Sequence, residues 1–246
     1  MKKKRVYAIF SSVDGVRMTE KEYLDLDLIA KDCNLFDASD VNSVIKKIQA
    51  LDEVYEHANL VKIYDYFLTV SKNPEILMNV IQCADRIRDK ASLSSLLDLL
   101  LMKNIDDEKD LYVNVRAMCA KVIANLKDTS AVTPLLYCLN NKDENYKVRL
   151  ACADALGRIG DRYAVAPLIE VVQDEEEKSV YLRETAASAL GMLGDLRAVD
   201  PLVSILETQK GIWNKFTFLK ERVIEALGKL RLDDNQIGRA SCRERV

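Results

Sequence analysis

Apolar residues recur in the C-terminal half of the chain at i, i+4, i+7, i+8 and i+11, which is one face of an α-helix. In one segment they are Val148, Cys152, Ala155, Leu156 and Ile159. Matching stripes run through Val115, Cys119, Val122, Ile123 and Leu126, and through Leu182, Ala186, Ala189, Leu190 and Leu193. The segments read VRAMCAKVIANLKD from Val115, VRLACADALGRIGD from Val148, LRETAASALGMLGD from Leu182 and LKERVIEALGKLRL from Leu219, so their starts differ by 33, 34 and 37 residues. A helical period of this length predicts a solenoid, in which each unit buries its apolar stripe by stacking on its neighbours.

Punctuation between the stripes defines the unit. Gly160 and Gly194 stand just past their stripes, where a left-handed residue ends a helix. Asp161 and Asp195 follow at once, placed to cap the next helix. The second helix reads AVTPLLYCL, AVAPLIEVV and AVDPLVSIL, with Pro134, Pro167 and Pro201 spaced 33 and 34 apart. Proline is tolerated this near a helix start because the early N–H groups lack intrahelical partners anyway. Each unit is therefore expected to be helix, Gly-Asp turn, helix, then an acidic loop such as DEEEK at 174–178.

The pattern VRxxAAxALGxLGDxxAVxPL is matched almost fully at 148–168 and 182–202, and it resembles the HEAT-like repeats named after phycobilisome lyases. The resemblance covers roughly half the chain and implies an all-α fold, an α-solenoid of stacked helix–turn–helix repeats. It departs at 115–135, where Ala124 and Lys127 stand in the glycine positions, and at 219–232, where Arg231 replaces the turn glycine. Those two units are expected to be bent or atypical.

Further upstream the pattern weakens. Residues 75–103 read as a degenerate repeat offset by 39 from the Val115 unit, which puts Ile87 on Leu126 and Leu96 on Leu135. Residues 39–71 read as another helix pair, with Val41, Val44, Ile45 and Ile48 on one face and Leu60, Ile63, Phe67 and Leu68 on the second helix. Residues 1–36 do not fit the repeat; Val6, Ala8 and Phe10 alternate before Asp14-Gly15, which suggests a small hairpin within an N-terminal cap. The expected organisation is a cap at 1–36, degenerate repeats at 37–110, HEAT-like repeats at 111–236 and a foreign tail at 237–246. The tail, IGRASCRERV, has no helical period and resembles a translated sequencing adapter; the natural protein is expected to continue past residue 236.

Composition narrows the function classes. A hydrophobic share of 49% supports a packed core, and eight glycines and four prolines are too few for the turns of an all-β fold of 246 residues. A net charge of −3 gives no bulk attraction for a polyanion, so nucleic acid is disfavoured. Cys33, Cys83, Cys119, Cys138, Cys152 and Cys242 contain no C-x-x-C pair and read as reduced thiols. The basic start, Lys2 to Arg5, precedes only five apolar residues, and no stretch of about 18 apolar residues occurs, so neither export nor a membrane span is expected. A cytoplasmic protein is.

No constellation for catalysis emerges. His57, the only histidine, cannot make a histidine-rich metal site, and a HEAT-repeat hydroxylase would need paired His-Glu motifs at repeat spacing. Cys119 and Cys152 share a repeat position with Ala186, which wants a small core side chain. No cofactor is expected. Arg116, Arg149, Arg183 and Lys220 form a ladder expected to link neighbouring repeats, or else to grip an anion. Acid recurs in the joining loops, at Asp106, Asp107 and Glu108, at Asp143 and Glu144, and at Asp174 to Glu177, as a solvated edge or as steering for a basic partner.

The function expected is that of a scaffold whose stacked second helices line an extended concave face for a protein or peptide. Tyr137, Glu170 and Ser204, and one turn on Asn140, Gln173 and Glu207, repeat along it. Trp213 and Phe216, in the longer interval before the last unit, are candidate anchors. Self-association is also expected, because Leu219, Val223, Leu227 and Leu230 of the last stripe would lack a following repeat. A bilin lyase or isomerase subunit, implied by resemblance alone, and a nucleic-acid-binding repeat protein are the alternatives.

Overall fold

A computed structural model describes residues 24–102, 112–207 and 217–230. It begins with α1 (Leu26–Asp32), α2 (Val41–Ala50) and α3 (His57–Val70). Four helix pairs follow: α4 (Pro74–Ile87) with α5 (Leu93–Leu101), α6 (Val113–Leu126) with α7 (Val132–Asn140), α8 (Tyr146–Ile159) with α9 (Val165–Gln173), and α10 (Val180–Leu193) with α11 (Val199–Glu207). A last helix, α12 (Thr217–Lys229), stands where the next pair would begin. This is the expected all-α solenoid.

Local chemistry sets the boundaries of the pairs. The Asn145 side chain accepts the Lys147 N–H at 3.0 Å to start α8, and the Ser179 hydroxyl accepts the Leu182 N–H at 3.3 Å to start α10. α8 and α10 end in left-handed glycines, Gly160 at φ +85° and Gly194 at φ +67°. Lys127 and Arg88 take the same conformation without glycine, at φ +51° and +56°. The Val115 unit, without its glycines, therefore ends in the same left-handed turn at greater conformational cost.

The aspartate after each turn caps a single 3-10 turn rather than the second helix itself. Asp161 accepts the Tyr163 N–H at 2.9 Å, and α9 starts only at Val165. Asp89, Asp128 and Asp195 do the same through Ala91, Ser130 and Arg197. The α4–α5 turn thus repeats the α6–α7 turn 39 residues earlier, as the upstream alignment expects. Val44 and Ile48 of α2 and Leu60, Ile63, Phe67 and Leu68 of α3 are buried, also as expected, while Val41 and Ile45 are half-buried.

First helices make the spine. α6, α8, α10 and α12 pack successively on one another far more extensively than the second helices α5, α7, α9 and α11 do. Small residues permit the approach: a Cβ on Gly157 would meet the Ala189 Cα at 2.7 Å, and one on Gly191 would meet the Ala226 Cα at 2.8 Å. The stripe of α12 points back into this spine, so Leu219, Val223 and Leu230 are 2%, 0% and 3% exposed. That corrects the expected bare patch: the apolar stripe of a first helix faces the preceding repeat, and the side left open carries Ile224 instead. No helix among the described residues is long and apolar enough to cross a membrane. The suggested hairpin before Asp14-Gly15, Trp213, Phe216 and the tail at 237–246 lie outside the described residues.

Candidate interaction surface

Each second helix divides into a buried and an open side. Val132, Leu135 and Leu139 of α7, Val165, Leu168 and Val172 of α9, and Leu202 of α11 point inward. The open sides carry Tyr137 and Asn140, Glu170 and Gln173, and Ser204 and Glu207, all exposed. Six of the eight candidate residues thus stand at the sixth and ninth positions of α7, α9 and α11. Tyr137 is 68% exposed, which leaves a large aromatic face in water beside polar neighbours.

The arginine ladder is internal. Arg116, Arg149 and Arg183 are 1%, 6% and 4% exposed. Arg116 Nη1 meets Glu144 Oε2 at 2.6 Å, and Arg149 Nη1 meets Glu177 Oε2 at 2.7 Å. Nε of Arg149 and of Arg183 donates to the carbonyls of Leu139 and Val172, each at 2.9 Å, at the ends of the preceding second helices. The carboxylates are used on both sides: Glu144 accepts from the Asn145 N–H at 2.7 Å and Glu177 from the Ser179 N–H at 3.0 Å. Charge taken out of water is tolerated when its hydrogen bonds are supplied in this way. The three arginines link repeats, and their burial keeps them from gripping an anion; Lys220 is half-buried.

Glu144 and Glu177 were hidden among the loop acids, whose sequence reads as a solvated edge. Asp174 is also engaged, with Lys142 at 2.8 Å. Asp143, Glu175 and Glu176 remain exposed on that edge.

The other candidate chemistry is structural. His57 is the exposed first residue of α3, at the helix flank. Cys119 and Cys152 are fully buried, and burial pushes the Cys119 thiol up, away from the thiolate a nucleophile needs. Cys152 shares a hydrogen bond with Cys138, which raises Cys152 and lowers Cys138. Among the described residues no group of three or more His, Cys, Asp or Glu is arranged to hold a metal ion. An open depression of about 380 Å³ lies at the turns, between Asp128, Ser130, Thr133, Asp161 and Tyr163. Its two aspartates are already capping the 3-10 turns.

Comparison with known proteins agrees with the helix pairs. The sequence profile of the HEAT repeats matches residues 106–181 and 138–213. No curated protein sequence matches the chain. Among solved structures, human deoxyhypusine hydroxylase in complex with glycerol is similar at a TM-score of 0.39 and 10% identity, over 83% of this chain and 95% of that one. From its periodic helix pairs, its shared turn and the matched profile, the chain carries HEAT repeats, stacked as an all-α solenoid.

Proposed function

We propose that the chain is an interaction scaffold whose row of second helices receives a protein or peptide partner. The observation that carries this reading is the pair of exposed rows, Tyr137–Glu170–Ser204 and Asn140–Gln173–Glu207, on α7, α9 and α11. The backbone repeats at each position while the side chain changes, so the surface offers a different chemistry at each step along a fixed spacing. Glu170 and Glu207 give it carboxylates and Tyr137 an aromatic face, a combination that suits a segment carrying lysine or arginine. Nothing among the described residues favours bilin chemistry or nucleic acid.

Charge reversal at Glu170 together with Glu207 tests the reading. Both side chains are exposed, so the far-UV circular dichroism of the double variant should be unchanged. Partners recovered by the native chain in pull-downs should be lost. Recovery of the same partners by the variant rejects the second-helix surface.

A further inference from the structure

The aspartates that cap the 3-10 turns are not equally engaged. Asp128 Oδ2 meets Lys90 Nζ of the turn before it at 3.0 Å, and the Ser130 hydroxyl donates to Asp128 Oδ1 at 2.8 Å. Asp195 Oδ2 lies 3.9 Å from Arg162 Nε of the turn before it and 2.9 Å from Arg197 Nη2 of its own. Asp161 Oδ1 accepts the Tyr163 N–H at 2.9 Å, and among the described residues no side chain donates to this carboxylate and no lysine or arginine pairs with it. Sequence accounts for the difference. Lys90, Thr129 and Arg162 each open their turn, so the residue placed to reach Asp161 is a threonine, short and neutral, where the other two are cations. Within its own turn Asp161 is followed by Tyr163, where Asp128 has Ser130 and Asp195 has Arg197.

The depression of about 380 Å³ lies where that cross-turn cation is missing, with Thr129, Ser130 and Thr133 on one side and Asp161 and Tyr163 on the other. Its volume is at the low end of ligand pockets, the size for one side chain rather than a cofactor. We propose that this gap is a binding site for an arginine side chain of a partner protein, which supplies the rung that Thr129 does not. A guanidinium fits each wall. Its N–H groups donate to the unused lone pairs of Asp161 and to the hydroxyls of Thr129 and Thr133, and its face stacks on Tyr163, which is 82% exposed. An ammonium would answer the carboxylate but has no plane to lay on the ring. The start of α7 disfavours a cation nearby, yet Lys90 and Arg162 hold the corresponding places in the neighbouring turns. Thr133 stands four residues before Tyr137 on α7, on the same side of the helix, so a partner held by the second helices reaches the gap. The inference rests on the scaffold reading for the nature of its occupant, a protein.

N-acetylarginine amide, titrated into the isotopically labelled whole chain and followed by the amide NMR signals, probes the site without any partner. Saturable shifts centred on Thr129, Ser130, Thr133 and Tyr163 are expected at millimolar concentration, because an ion pair open to water binds weakly. The lysine analogue should bind about threefold weaker or worse, and the neutral norleucine analogue should cause no shift. Thr129→Arg should abolish the arginine shifts by supplying the cation from within, with a melting temperature no lower than that of the native chain. Should that variant unfold, Asp161→Asn keeps a capping side chain while removing the charge, and should weaken binding about fivefold or more. Native-like binding by the folded variant, or equal affinity for the lysine or norleucine analogue, overturns the proposal. The probe bypasses the partner, so absent shifts beside partners lost on Glu170 and Glu207 reversal reject this site alone. Arginine shifts beside partners retained reject the second-helix surface alone.

Discussion

Among the described residues, four carry the left-handed turn between paired helices, and two of these are glycine. Around Gly194 a Cβ would find open space, so substitution there tests the backbone alone. Gly194→Val should cost about 1 kcal/mol or more, because β-branching is poorly compatible with positive φ. Lys127→Gly should move the other way and raise stability by about 0.5–1 kcal/mol, with thermal melts reading both. These turns were legible where glycine marks them and, at Lys127, from the alignment of the repeats; the turn at Arg88, where the following aspartate is the sole local signal, was obscure. The aspartates also set an acid limit. Hydrogen bonds from Ser130 hold the Asp128 carboxyl down at about 2, and Arg197 and Lys142 lower Asp195 and Asp174. A carboxyl whose folded pKa lies below its unfolded value stabilises the fold fully above that unfolded value, and the contribution is lost as pH falls toward the folded pKa. The melting temperature should therefore drop between about pH 4 and 2, and Asp128→Asn should flatten that drop. An unaltered profile in the variant would separate Asp128 from the effect.

At the scale of the element, the Arg149–Glu177 pair joins three segments, the end of α7, the body of α8 and the loop after α9. Both side chains are 7% exposed, so removing one partner strands a charge away from water. Glu177→Ala should cost about 3–5 kcal/mol in denaturant unfolding. Combining it with Arg149→Met should recover much of that loss, since a buried pair replaced by apolar groups is often close to neutral. A double variant as unstable as the single one would show that the arginine's packing, not its charge, matters. The arginines were legible as links between repeats because they recur with the helix. Their partners were not, although Glu144 and Glu177 stand 33 apart, as Arg116 and Arg149 do. Acid in a loop ordinarily means solvation, and periodicity alone cannot say which carboxylate of DEEEK turns inward. Likewise the stripe of α12 announced a helix with one apolar side but not which neighbour that side would meet.

For the molecule as a whole, the repeat period made the architecture readable across the HEAT pairs and, by alignment, back to α4. It could not do the same for the binding surface. Burial imposes a pattern on a core that composition reveals, whereas the open rows on α7, α9 and α11 vary freely, so their positions were legible and their partner was not. The inward arginines have a mechanical consequence. Each ties one repeat to its neighbours while leaving distant repeats unconnected, so tension on the two ends meets a series of fasteners rather than a single one. Stretched in an optical trap, the chain should give way by fraying from an end. Successive ruptures would release 33 or 34 residues, on the order of 100 Å of extended backbone, and Glu177→Ala should lower the force of one step while the others keep theirs. A protein fastened in this manner can lengthen under load in instalments and re-form when the load is removed.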